Sequence, residues 1–181
     1  YDEARARLLW RSVKPKGIVC LAYWLAAIFA EQIRAEQKTY PFIEIVGEPG
    51  AGKSTLIEFL WRLCGRVEYE GFDAKKATAA ARARNIAQIS GLPAVLIESD
   101  RDSGEDKVKQ KAFDWDEFKT AYNGRSVRST GVKNSGNDTY EPPFRAALVI
   151  SQNAPIAAPS DAFPQRLLHA FLTLQPRSDQ S

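Results

Sequence analysis

The chain has 181 residues, 44% of them hydrophobic, which is enough for one sizeable core and too few for two independent full domains. A formal net charge of +3 allows a polyanionic partner but excludes the strong basic bias of a dedicated nucleic-acid coat protein. The two cysteines, Cys20 and Cys64, stand far apart in apolar helical contexts, which argues against a disulfide scaffold and favours a reducing, cytoplasmic location.

The first predicted elements are helices. Apolar residues recur at helical spacing over residues 2–12 and 17–38, and Pro15-Lys16-Gly17 separates the two stretches. We therefore expect an N-terminal helical segment, residues 1–38, packed on the core. Its longest apolar run, Ile18 to Ala30, is shorter than the roughly 20 residues that a membrane span requires, so no membrane partner is expected. Because the chain opens on Tyr1 rather than on methionine, we expect a fragment of a longer protein.

A core over residues 39–174 follows, in which apolar strands alternate with helices. Strands are predicted at 42–46, 94–97, 145–151 and 167–174, helices at 54–63, 74–89 and 114–122, and a hairpin with a polar tip at 125–143. Residues 175–181 are predicted to be a polar tail. The alternation predicts an α/β fold with a mostly parallel sheet and helices on both faces, whose ligand binds at the carboxyl ends of the strands.

A glycine-rich loop joins the first strand to the next helix. It reads Gly47-Glu48-Pro49-Gly50-Ala51-Gly52-Lys53-Ser54-Thr55. The three glycines let the main chain wrap closely around a phosphate, and the helix that follows contributes its amino-terminal dipole. Lys53 is expected to reach the β and γ phosphates, and the Ser54 hydroxyl to ligate Mg²⁺. This P-loop, or Walker A, pattern predicts that the chain binds ATP or a similar nucleotide together with magnesium.

Acidic residues follow the second apolar strand. Glu98 and Asp100 stand where one carboxylate would orient magnesium and another would activate the attacking water. Strand side chains alternate, so the two point the same way if the strand continues. The alternative is that both are solvated acids at the start of a charged loop, and the division of labour between them stays open.

Two further residues are candidates for the same site. Asn153 comes just after the third apolar strand, where its amide could sense a γ-phosphate or the attacking water; an ordinary loop asparagine is the alternative. Arg166 precedes the last strand and could act as an arginine finger, provided that it faces the site of a neighbouring subunit. A solvated arginine at a helix end is the alternative there.

These motifs, in this order, resemble an AAA+ P-loop ATPase core, and more narrowly the superfamily 3-like helicase module of phage and mobile-element primase-helicase proteins. The resemblance covers about residues 17–174. It implies that Glu98 belongs to a Walker B motif, that Asn153 is sensor 1, and that Arg166 contacts the nucleotide of the next protomer in a ring, expected to be a hexamer. Glu98-Ser99-Asp100 departs from the commoner adjacent acidic pair, which leaves the catalytic base open.

The predicted hairpin occupies the place where superfamily 3 helicases touch single-stranded DNA. Arg125, Arg128 and Lys133 give it positive charges that could follow a phosphate backbone. The alternative is a solvated surface hairpin, since no aromatic residue lies at its tip to stack on a base. Single-stranded DNA is therefore the expected macromolecular partner.

Together these features predict an ATP-hydrolysing motor domain that works as a ring on DNA during replication of a mobile element. A small-molecule P-loop kinase and a non-motor ATP-binding switch are the alternatives. Other notable residues are expected to be structural. The four tryptophans fall at helix-compatible apolar positions and are predicted to pack in the core or between domains. His169 lies in an apolar strand and is predicted to be a core or edge residue.

Overall fold

The computed structural model describes residues 3–73, 78–97, 115–127, 130–131, 139–156 and 162–173. The helices within these ranges are α1 (Glu3–Ala27), α2 (Ala30–Gln37), α3 (Lys53–Leu63) and α4 (Ala79–Ala87), with 3₁₀ helices at Trp115–Asn123 and Pro164–Arg166. The strands are β1 (Phe42–Val46), β2 (Phe72–Asp73), β3 (Ser90–Ile97), β4 (Thr130–Gly131), β5 (Thr139–Tyr140), β6 (Arg145–Gln152) and β7 (Leu167–Phe171).

Five strands form one parallel sheet in the order β2-β3-β6-β1-β7. The predicted α/β architecture is confirmed at this level. Strands β4 and β5 pair antiparallel in a separate two-stranded sheet, so the predicted hairpin forms a ladder at Thr130 and Tyr140. Because every strand of the main sheet runs the same way, all of their carboxyl ends lie along one edge.

Alternation along the central strands divides the core between the two faces of the sheet. Odd-numbered residues such as Ile43, Ile45 and Val149 pack with α1 and α3. Even-numbered residues such as Leu148 and Ile150 pack with α4 and the first 3₁₀ helix. Both faces of the sheet are therefore covered, as expected for a buried parallel sheet. A ligand site is then expected in the loops at the carboxyl ends of the strands.

The N-terminal helical segment is broken at two places, and the sequence predicts only the first of them. Within α1, Lys14 has non-helical dihedral angles (φ 54°, ψ −172°) just before Pro15, as predicted for that break. The predicted single helix over 17–38 is wrong. The N–H of Phe29 turns back to the carbonyl of Ala26 (2.9 Å), a 3₁₀-type closure, and α2 starts afresh at Ala30. The chain thereby buries both Ala27 and Ala30 against the sheet.

A bilayer-crossing helix is not found among the described residues. No single helix there combines the necessary length and apolarity. One pair, Lys14–Ala27 and Ala30–Gln37, meets the criterion when its two members are counted together, but they meet at an angle of 85°.

Three other elements differ from the prediction. Helix α4 starts later, after Thr78, whose hydroxyl accepts the N–H of Ala81 (3.2 Å) as an N-cap. The short helix after residue 114 is a 3₁₀ helix. The edge strand β2 was not predicted; it approaches β3 so closely at Gly71 that a β-carbon there would lie 2.6 Å from the carbonyl oxygen of Val95.

The tryptophans divide between the core and the surface. Trp24 and Trp61 are buried and meet edge to face, with ring centroids 4.9 Å apart, and Trp115 packs on Phe163. These positions agree with the prediction. Trp10 is not part of the core, because 54% of it is exposed on the first part of α1. The helical spacing there marks a face that the rest of the described chain leaves uncovered.

Candidate functional site

The glycine-rich loop lies between β1 and α3, at the carboxyl edge of the sheet. Gly50 and Gly52 adopt left-handed backbone angles (φ 83° and 86°), which other residues rarely tolerate. The loop surface from Glu48 to Gly50 is exposed. A turn made this way presents main chain rather than side chains to solvent, as binding of a bulky anion requires.

The base of the loop is fixed between the two neighbouring strands. The Gly47 N–H donates to the carbonyl of Gln152 on β6 (3.3 Å), and the Leu172 N–H, just after β7, donates to the carbonyl of Val46 (2.6 Å). A β-carbon on Gly47 would lie 2.7 Å from the carbonyl oxygen of Leu172 and 3.0 Å from the β-carbon of Ala51. Glycine is required here for close packing rather than for an unusual backbone angle.

Helix α3 begins at the end of the loop and points its N-terminus into it. The first N–H groups of an α-helix have no carbonyl partner within the helix, and Gly52 at the N-cap has no side chain that could satisfy them. Ser54 and Thr55 are exposed on this first turn. Free N–H groups, the helix dipole and two hydroxyl groups together favour an anion at this point.

Lys53 places its ammonium group across the loop. Its Nζ donates to the carbonyl oxygens of Gly47 (2.5 Å) and Glu48 (3.2 Å) and to Oδ1 of Asn153 (2.9 Å). The structure thus brings together two predicted site residues that are far apart in sequence. The meeting follows from the sheet order, because β6, which leads to Asn153, pairs directly with β1 in parallel.

The predicted acidic strand lies one position farther from the loop. Strand β6 separates β3 from β1, so β3 is the second strand away from the one that leads into the loop. Ile97, the last residue of β3, pairs with Ser151, so β3 ends at the same edge of the sheet as β6. Glu98 and Asp100 themselves lie outside the described residues. Asp73, which ends β2 beside Ile97, brings an unpredicted carboxyl group to this edge.

Arg166 lies at the opposite edge of the sheet from the glycine-rich loop. It directly precedes β7, whose first residue, Leu167, pairs with the first residue of β1, Phe42. Its guanidinium donates to the carbonyl of Ala162 and lies over the Tyr122 ring, 5.3 Å from the centroid. Within one chain, Arg166 is therefore not part of the loop site.

Of the predicted DNA contacts, Arg125 is described and exposed, between the first 3₁₀ helix and the hairpin. Its N–H donates to the carbonyl of Thr120 (3.1 Å). Arg128 and Lys133 lie outside the described residues. DNA contact by this hairpin stays a prediction.

The structure adds a buried polar cluster that sequence analysis did not identify. Glu44, in the middle of β1, is fully buried, and its carboxylate contacts Gln152, Ile156 and His169. His169 is on edge strand β7, as predicted, but it has an acidic partner that its apolar neighbours in sequence do not reveal. The available signal was Glu44 itself, a charged residue inside the apolar run Phe42–Val46.

No cluster of three or more His, Cys, Asp or Glu side chains suited to a metal ion occurs in the parts of the chain that the structure describes. Comparison with known proteins supplies no identity: no family model matches the chain, and no curated protein matches it either. The local geometry of the loop, its lysine and its asparagine is the basis for what this site can do.

Proposed function

We propose that this chain is an ATP-hydrolysing motor domain with an AAA+-like P-loop fold, of the kind found in phage and mobile-element primase-helicases, acting as a homo-oligomeric ring, a hexamer, on single-stranded DNA. The observation that carries the proposal is the meeting of Lys53 with Asn153 above the glycine-rich loop, 2.9 Å apart, at the N-terminus of α3. Loop, helix end, cation and amide are the parts that nucleotide phosphates require.

Each of these parts has a role on a bound triphosphate. Phosphate oxygens would replace the carbonyl and amide acceptors that Lys53 now uses, because a charged acceptor forms the stronger hydrogen bond. The main-chain N–H groups of the loop and α3 would hold the β-phosphate. Asn153, released from the ammonium group, would lie next to the γ-phosphate and detect its presence.

The donor set near the loop fits Mg²⁺. This ion prefers oxygen ligands and commonly keeps several waters, so one hydroxyl, one or two carboxylates and the phosphates suffice. Ser54 is exposed on the first turn of α3 and would supply the hydroxyl. Glu98 would supply a carboxylate, and Asp100 would share the work of orienting water.

The ring assignment draws on Arg166. Because it lies at the sheet edge away from its own loop, it could complete a nucleotide site only in an adjacent subunit. Such an arrangement would make hydrolysis depend on assembly. The hairpin residues Arg125, Arg128 and Lys133 would then contact the DNA backbone in the ring.

Two measurements test the proposal. The first is titration with a fluorescent ADP analogue, for which Lys53→Ala should weaken binding by at least about tenfold, because a charge-assisted phosphate contact contributes roughly 1.5–3 kcal/mol. Lys16→Ala, which removes an exposed lysine on α1, is the matched control and should bind like wild type. Equal binding by Lys53→Ala and wild type would refute the nucleotide site.

The second measurement is the steady-state ATPase rate over a protein concentration series, with and without single-stranded DNA. A ring motor predicts a specific activity that rises with concentration and with DNA, and that Arg166→Ala abolishes without weakening ADP binding. Slow turnover indifferent to DNA and to concentration would favour the switch. Phosphate transfer to a small acceptor would favour the kinase.

A further inference from the structure

Glu44 is a charged residue at a place where chains rarely keep one. It lies in the middle of β1, between Ile43 and Ile45, in the strand that leads into the glycine-rich loop, and it is 0% exposed. Burying a carboxylate without partners costs several kcal/mol, so such a group is kept only where its oxygens are well satisfied.

The partners of Glu44 bracket the segment that carries Asn153. Oε1 accepts a hydrogen bond from Nε2 of Gln152 (2.5 Å) and a second from the N–H of Ile156 (2.7 Å). These two residues stand on either side of residues 153–155. One carboxylate oxygen thus closes the turn after β6 at both of its ends, beneath the amide that contacts Lys53.

The second oxygen of Glu44 is also held. It lies 2.6 Å from Nδ1 of His169, directly across the β1–β7 pairing, and the His169 side chain is 37% exposed. A carboxylate can only accept, which assigns the hydrogen to Nδ1. With both oxygens engaged, the carboxylate cannot rotate away from the turn.

We infer that Glu44 is a positioning residue for Asn153: it fixes the turn 153–156 so that the Asn153 amide meets Lys53 and, on the proposed function, the γ-phosphate. The inference has a structural part, the placement of Asn153, and a functional part that rests on the proposed nucleotide site. Misplacing a catalytic or positioning group by about 1 Å can lower the rate about a hundredfold.

The structural part is tested without nucleotide, by the side-chain amide resonance of Asn153 in ¹⁵N-labelled protein, identified with Asn153→Ala. Glu44→Val, which keeps a strand-forming side chain and removes the acceptor, should move this resonance away from its wild-type position. Glu44→Gln should leave it nearly in place, because the amide oxygen accepts the same two hydrogen bonds and the NH₂ group donates to Nδ1 of His169 once the imidazole carries its hydrogen on Nε2 instead.

The matched control for lost stability is Tyr23→Phe. The Tyr23 hydroxyl lies 2.9 Å from the carbonyl oxygens of both Pro41 and Leu148 and shares its one hydrogen between them, on the other face of the sheet and near the amino end of β1. Its loss weakens the same strands without touching the turn, so the resonance should not move. If Glu44→Val does not fold, Gln152→Leu removes one donor and takes its place. An unmoved Asn153 resonance in the folded variant overturns the inference.

The functional part is tested by a double-mutant cycle on turnover. Glu44→Val should lower kcat about tenfold to a hundredfold while ADP affinity stays within about twofold, because ADP lacks the phosphate that Asn153 detects. In an Asn153→Ala background the same change should have almost no further effect. Full multiplication of the two losses would show that Glu44 acts elsewhere. A wild type without turnover would sink the proposed function, whereas the resonance test would still decide where Glu44 acts.

Discussion

Gly47→Ala is the sharpest test of how the loop is seated. The added β-carbon would lie 2.7 Å from the carbonyl oxygen of Leu172 and 3.0 Å from the β-carbon of Ala51. A contact to backbone at that distance cannot be relieved by rotating a side chain, so β1 and the segment after β7 must separate by several tenths of an ångström. Overpacking of this kind costs about 1–3 kcal/mol. The displaced Gly47 carbonyl is also an acceptor for Lys53, so nucleotide affinity should fall as well.

The assay pairs urea unfolding with titration of a fluorescent ADP analogue. Gly65→Ala is the control: its backbone is left-handed (φ 74°), but nothing lies within 4 Å of an added β-carbon, and it follows the far end of α3. That variant should lose about 1 kcal/mol of stability and bind ADP normally. Wild-type stability in Gly47→Ala would refute the steric argument; normal stability with lost binding would show that Gly47 acts on the nucleotide alone.

Three further outcomes concern the core. Burial raises the pKa of the Cys20 thiol from 9.0 to about 11. The neutral thiol therefore contributes its full stabilisation below pH 9, and this contribution, up to about 3 kcal/mol, is lost as the pH rises through about 11. In urea unfolding measured at a series of pH values, the stability difference between wild type and Cys20→Ala should shrink over this range. A difference that stays constant with pH would contradict the argument. Trp24→Ala should lower the free energy of unfolding by about 3–5 kcal/mol, because this side chain is buried. Trp10→Ala, at an exposed site, should change the free energy of unfolding by less than about 0.5 kcal/mol. Similar losses for the two variants would mean that Trp10 is covered in solution. Glu117→Ala removes the carboxylate that accepts a charge-assisted hydrogen bond from the largely buried Arg82 guanidinium (2.9 Å), so thermal unfolding should show a loss of about 1–3 kcal/mol in stability. An unchanged midpoint would show the pair to be dispensable.

Local patterns predicted much of the molecule. The glycine-rich loop, the strand before it and the helix after it were all predicted. Their signals, a short apolar run and a fixed spacing of glycines and lysine, come from residues that are close together in sequence. The apolar run before Asn153 predicted a strand, and the parallel pairing of that strand with β1 places Asn153 next to Lys53. The functional roles of Glu98, Arg166 and the hairpin stay predictions.

What the sequence could not reveal depends on distant partners. Glu44 is understandable only once Gln152 and His169 are known to adjoin it, and each is more than 100 positions away along the chain. Strand β2 has only two residues, which is too short for an alternating pattern of apolar and polar side chains to be seen in the sequence. It forms because its backbone pairs with the edge of β3. The end of α1 near Phe29 is set by packing on the sheet, which overrides a helical pattern that continues through it.

The sheet order also has a consequence for how the chain folds. The central strand pair joins β1 to β6, and the hydrogen bond from Gln152 to Glu44 spans 108 positions. Closing so large a loop must precede most of the stabilising contacts, which slows folding. During synthesis, β1 can find neither of its two partners until β6, which begins at Arg145, has left the ribosome. The nascent chain therefore carries an unpaired apolar strand while the residues between Val46 and Arg145 are synthesised, a period in which aggregation or chaperone capture competes with folding.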